Sequence, residues 1–146
     1  MFISRLLVFL QFLFLCLLFM PIYLIPVPYA WIFSFVSLSL ALKLLLWTSV
    51  HNKLGNFNII PEIKDGCKLI RSGPYKFIRH PMYTSVVLIA LGVLGYWFAF
   101  FKIGVILGLI LVMVFKAKRE EQFWCEHSAE YSRYQEKTKM FIPFVL

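Results

Sequence analysis

The residues best equipped for chemistry form a run that sets a cation, an imidazole and a phenol around a helix start: Arg79-His80-Pro81-Met82-Tyr83. Pro81 suits the first turn of a helix, where its missing N–H costs nothing, and this puts His80 at the helix N-terminus. That end carries partial positive charge and unpaired amides, so it can receive an anion such as the carboxylate of an amino-acid-like cofactor. Upstream, Gly73-Pro74 makes a tight turn, and Tyr75 with Tyr83 can bracket a cationic or planar group. A second set, Glu120-Glu121, follows directly on Lys116, Lys118 and Arg119. Adjacent carboxylates of this kind accept hydrogen bonds from an ammonium group or from ribose hydroxyls. Both sets also have a plainer reading. The first resembles a basic interfacial anchor with tyrosines at headgroup level, and the second a solvated, salt-bridged helix face.

Other chemistries find less support. Cys16, Cys67 and Cys125 lie far apart and show no paired spacing, so neither a disulfide framework nor a structural zinc site is expected, and a reducing, cytosol-facing environment is the default. His80, His127 and Cys125 lack the spacing of a ligand set, so no metal is assigned.

The elements that must position these residues are membrane elements. The chain is 61% hydrophobic and only 15% charged over 146 residues, and no charge falls between Leu6 and Leu42. That is too apolar for a soluble domain of this size and longer than an ordinary buried element. The net charge of +8 does not point to nucleic acid. The basic residues gather in two clusters beside apolar spans, Lys53 to Arg79 and Lys116 to Lys139, as cytosolic segments and affinity for anionic lipid require.

A first helix is expected from Leu6 to about Leu24, retained rather than cleaved as a signal peptide, and ended by Pro21, Pro26 and Pro28. A second runs from Tyr29 to about Val50, with Lys43 reaching for the interface. The charged, turn-rich stretch from His51 to His80 is too long for an idle connector and is expected to be a packed loop. From Pro81 to Phe115 only Lys102 is charged, which leaves room for a helical hairpin turning at Gly95-Tyr96-Trp97 or near Phe101-Lys102. Gly92, Gly95, Gly104 and Gly108 are expected to admit neighbouring helices closely. Beyond Phe115 a helix continues past the membrane, with Glu120, Trp124, His127, Tyr131 and Tyr134 on one face. The expected architecture is all-α: a single polytopic membrane domain over 1–146 with four transmembrane helices. Residues 1–50 supply two of them, and 51–146 supply a cofactor-binding loop, the hairpin and a cytosolic C-terminal helix. The N-terminus and both basic clusters then lie on the cytosolic side.

Taken together, Gly73-x-Tyr75, Arg79-His80-Pro81-Met82-Tyr83, a hairpin containing Gly92, Glu120-Glu121, Glu130-Tyr131-Ser132-Arg133-Tyr134 and the closing Phe141-Ile142-Pro143 resemble the isoprenylcysteine carboxyl methyltransferase family and its phospholipid methyltransferase relatives. The resemblance covers about residues 52 to 146. Two places depart from the pattern: Thr84-Ser85 stands where a glycine often follows the motif, and His127-Ser128 where Phe-Gly is common.

The resemblance implies an S-adenosylmethionine site at the cytosolic membrane surface, lined by Cys67, Lys68, Leu69, Ile70, Tyr75, His80, Pro81, Met82, Tyr83 and Glu120. Lys116 matches a basic residue that the family places near the acceptor. The implied reaction is direct displacement at the sulfonium methyl by a lipophilic acceptor, the carboxylate of a prenylated cysteine or a similar small molecule. A phospholipid amine is the alternative acceptor; it would need a base, for which Glu121 is the candidate. A nicotinamide-dependent membrane reductase ranks lower, because no glycine-rich nucleotide fingerprint is present. A non-catalytic membrane factor ranks third. The expected partners are the lipophilic acceptor and membrane lipids, with no nucleic acid.

Overall fold

The computed structural model describes residues 2–21, 25–52, 59–61 and 67–143. Among them are five α-helices and no strand: α1 (Phe2–Leu18), α2 (Ala30–His51), α3 (Pro81–Tyr96), α4 (Phe100–His127) and α5 (Ala129–Lys137), with a 3-10 turn at Gly73–Lys76.

The first helix begins four residues and ends about six residues before expectation, because the chain must leave the α conformation before Pro21. Its last turn tightens as Phe19 and Met20 N–H groups donate to the Cys16 and Leu17 carbonyls at 3.2 and 3.3 Å. Residues 22–24, where the helix was expected to end, lie outside the described residues. So do Lys53, Gly55, Asn56, Asn58, Lys64, Asp65 and Gly66 of the long loop.

The hairpin turns at the first of its two candidate positions. Trp97 ends α3 by donating to the Val93 carbonyl at 2.9 Å, and α4 begins three residues later. The Ile25 N–H donates to the Phe98 carbonyl at 2.8 Å, which ties the α1–α2 connection to this turn.

Two helix pairs, α2 with α3 and α1 with α4, form most of the packing. Leu18, Ala90, Val93, Ile106, Leu109 and Met113 make the buried core. Glycines decide how closely the backbones approach. A Cβ on Gly92 would fall 2.7 Å from the Leu38 side chain, one on Gly95 2.6 Å from Ser34 Oγ, and one on Gly108 2.6 Å from the Phe14 ring. The expected role of Gly104 is corrected: nothing lies within 4 Å of its Cβ position, because α4 turns that face away from every described neighbour. A polar tie accompanies the close packing, Ser37 Oγ donating to the Leu88 carbonyl at 2.8 Å.

Two helices, α2 and α4, are long and apolar enough to cross a membrane, while α1 and α3 are shorter apolar helices of 17 and 16 residues. The outward faces are apolar, with Phe9, Phe33, Phe35, Leu42, Leu107 and Phe115 all exposed. Lys43 is exposed. Lys102 is fully buried, its ammonium 5.6 Å above the Trp97 ring.

The continuous helix expected beyond Phe115 is broken once. Ser128 is extended and serves as both C-cap of α4 and N-cap of α5, so α5 folds back instead of extending. His127 is therefore exposed, while Tyr131 and Tyr134 are buried.

Gly73 has φ +59, and a Cβ there would sit 2.5 Å from the His51 ring. We expect Gly73→Ala to destabilise the fold by about 2 kcal/mol, the ordinary cost of a left-handed alanine, before any cost of moving His51. Chemical denaturation in detergent micelles measures it; an unchanged midpoint rules out the strain.

Candidate active site

The motif from Gly73 to Tyr83 folds as a 3-10 turn followed by an extended strap that runs into α3. The strap pairs with the chain after α5. Lys139 N–H donates to the Phe77 carbonyl at 3.1 Å, Arg79 N–H to Lys139 O at 2.8 Å, and His80 N–H to Met140 O at 3.1 Å. Thr84, where the family pattern often has glycine, donates its hydroxyl to the Phe141 carbonyl at 3.0 Å and so fastens the closing segment. Tyr134 of α5 donates its phenol to the Tyr75 carbonyl at 2.6 Å, and Arg71 meets Glu130 in an exposed pair at 3.2 Å.

Beneath the strap is a polar knot. Arg79 donates from Nε to Glu121 Oε1 at 2.5 Å and from Nη1 to the carbonyls of Gln135 (3.2 Å) and Thr138. Gln135 Nε2 donates to Glu121 Oε2 at 3.0 Å, and His80 Nε2 lies 3.1 Å from Glu121 Oε1. Glu121 and Arg79 are about nine-tenths buried. The other face of the imidazole looks toward Glu120: Nδ1 is 3.7 Å from Oε2, which also accepts a hydrogen bond from the Tyr83 hydroxyl at 3.0 Å. His80 stacks on Tyr83, their ring planes 3° apart. The anions at this helix mouth are thus the chain's own two glutamates.

A cleft of about 80 Å³ opens beside the knot. Cys67, Lys68, Leu69, Ile70, Tyr75, His80 and Glu120 line it together with Asn52, Arg79, Trp124, Tyr131 and Tyr134. Seven of the sequence-predicted positions therefore meet around one space, although they come from three separated parts of the chain. Trp124 and Tyr131 stack with centroids 5.9 Å apart. Burial, and next the Glu120 charge, push the Tyr75 phenol up; burial and then the two glutamates do the same to Tyr131. Burial outweighs the lowering pull of Arg79 and pushes Tyr134 up to about 12. These phenols stay protonated, as donors, throughout the neutral range.

The remaining predicted residues stand outside the lining. Pro81 is buried where it opens α3, Met82 is half-buried, and Tyr83 acts on the cleft by holding Glu120. Glu121 is held by the knot. The buried Lys116 ammonium donates to Gln11 Oε1 at 2.5 Å and to the Ile59 carbonyl at 3.0 Å, and sits 5.3 Å above the Tyr83 ring. Five lining residues stand outside the sequence-predicted set: Asn52, Arg79, Trp124, Tyr131 and Tyr134. Arg79 stands in the run best equipped for chemistry, and Trp124, Tyr131 and Tyr134 share one helix face, which are usable signals. Asn52, the C-cap of α2, carried none.

The chemistry of the lining suits a nucleoside joined to an amino acid. It combines stacked aromatic faces, a carboxylate with only neutral or weak partners, and a cationic loop. No cluster of His, Cys, Asp or Glu able to hold a metal is present among the described residues.

A family model described as isoprenylcysteine carboxyl methyltransferase family matches residues 35–125, which is more than half of the chain. The match begins inside α2 and ends within α4, so α5 and the closing segment lie beyond it. No curated protein matches the chain.

Proposed function

Because the chain belongs to the isoprenylcysteine carboxyl methyltransferase family, we propose that it is a membrane-integral enzyme that transfers a methyl group from S-adenosylmethionine to a lipophilic carboxylate. The observation that carries this reading is the cleft itself, where the loop 67–70, Tyr75, His80 and Glu120 converge. In the proposed orientation all four apolar helices cross the bilayer and the cleft faces the cytosol. The excess of lysine and arginine in the loop and from Lys116 to Lys139 supports that orientation. At 28 residues, α4 is about 42 Å long and outruns a hydrocarbon core of about 30 Å, so it carries Glu120 and Trp124 beyond the surface.

When bound, S-adenosylmethionine supplies an electrophilic methyl group on a sulfonium. Trp124, Tyr131 and Tyr75 would pack its base. Glu120 would accept hydrogen bonds from its ribose or ammonium, and Lys68 with the loop amides would meet its carboxylate. Glu120, held by Tyr83 and faced by His80, also places negative charge at the cleft, which favours a cationic ligand. The chain's own work is alignment, since a carboxylate acceptor is already ionised and needs no base. Lys116, one turn before Glu120, is the cation proposed to hold that carboxylate.

An amine acceptor fits less well. It needs a base, and the candidate, Glu121, already accepts from Arg79 and Gln135 and meets His80.

Purified protein is expected to bind S-adenosylmethionine and to move a labelled methyl group to a prenylated cysteine analogue but not to aminophospholipids. A folded protein with no affinity for the cofactor would end this proposal. Transfer to the amine alone would replace the acceptor.

A further inference from the structure

We propose that the groove on the outer side of Arg79 is a binding site for one anionic phospholipid, with Lys118 and Lys139 on its phosphate and an acyl chain along α4. The groove holds about 510 Å³ and joins three cations, Arg79, Lys118 and Lys139, to the apolar Val114 and Met140. No carboxylate lines it. Arg79 is neutralised by Glu121 and bound to two backbone carbonyls. The positive charge left over belongs to Lys118 and Lys139. Both are exposed, and neither ammonium has an ion-pair or hydrogen-bond partner among the described residues.

The apolar part of the site continues along the helix. Spacing of three and four residues sets Leu107, Leu111, Val114 and Lys118 on one face of α4. Leu107 and Leu111 are 58% and 59% exposed, and Gly104, on the same side, meets nothing within 4 Å. This face is therefore an uncovered hydrocarbon track that ends at a pair of uncompensated ammonium groups. An amphiphile with one phosphate negative charge matches both halves. A free anion would use only the lysines. A second copy of the chain, packed about a two-fold axis, would bring lysine against lysine at the end of the track. The site rests on α4 crossing the bilayer and is independent of methyl transfer.

The test uses the full chain in nanodiscs of phosphatidylcholine doped with phosphatidylglycerol, with bound lipid read by native mass spectrometry. Replacing both groove lysines, Lys118→Ala with Lys139→Ala, is expected to weaken phosphatidylglycerol retention by about fivefold per lysine. The matched control, Lys76→Ala with Lys137→Ala, removes the same charge from exposed lysines outside the groove and is expected to retain the lipid. Lys118→Arg with Lys139→Arg is expected to retain it as well. Equal loss in both alanine pairs means diffuse surface attraction and overturns the site. So does undiminished retention in the groove pair, displacement of the lipid by inorganic phosphate, or a dimer that covers the track.

Discussion

Arg79→Met is expected to cost about 3–5 kcal/mol of stability, because it strands the Glu121 carboxylate in a buried position after removing its charge partner. The loss reaches beyond one ion pair. The same guanidinium holds the Gln135 and Thr138 carbonyls, so the end of α5 and the strap that pairs with it lose their anchor together. Denaturation in micelles gives the energy, and limited proteolysis after Lys137 or Lys139 shows where the structure opens. Adding Glu121→Gln should recover much of the loss, since an unpaired amide costs far less to bury than an unpaired charge. Arg79→Lys should recover little, because a single ammonium cannot reproduce a planar group that donates in two directions. A wild-type midpoint in Arg79→Met would show that the knot contributes nothing to the fold.

Glu120→Ala and Glu121→Ala should behave as opposites although the residues are adjacent. Glu120 lines the cleft and has the Tyr83 hydroxyl and a more distant imidazole nitrogen as partners. Its loss is expected to weaken S-adenosylmethionine binding by about tenfold to a hundredfold, the worth of one hydrogen bond to a charged group, and to leave the denaturation midpoint nearly unchanged. Glu121→Ala should instead lower the midpoint sharply by leaving Arg79 buried without a counter-charge. Calorimetric titration with the cofactor, alongside denaturation of the same samples, separates the two. Equal losses of affinity with intact stability in both variants would show that the pair acts as one ligand and would refute the division of labour.

The approximate positions of α1 to α4 were legible in the sequence, and the hairpin turn was narrowed to two places, because hydropathy, proline and glycine act locally. Pro21 stops α1, Pro81 starts α3, and Gly95-Tyr96-Trp97 carries one of two visible turn signals. The two walls of the cleft were also legible, since Arg79 to Tyr83 and Glu120-Glu121 each carry chemistry in a short run. Tertiary structure alone decided which glutamate faces the cleft. Successive residues on a helix point about 100° apart, so the rotation of α4 sends Glu120 to the cleft and Glu121 to the knot. That rotation is set by α1, whose Ser4 and Gln11 accept from Arg119 and Lys116 at 2.8 and 2.5 Å, and by α5, whose Gln135 reaches Glu121. These partners lie between 14 and 115 residues away in the chain, so no local pattern encodes them. The open face at Gly104 has the same origin: its glycine spacing was visible in the sequence, but whether a neighbour fills that space depends on where the other helices stand.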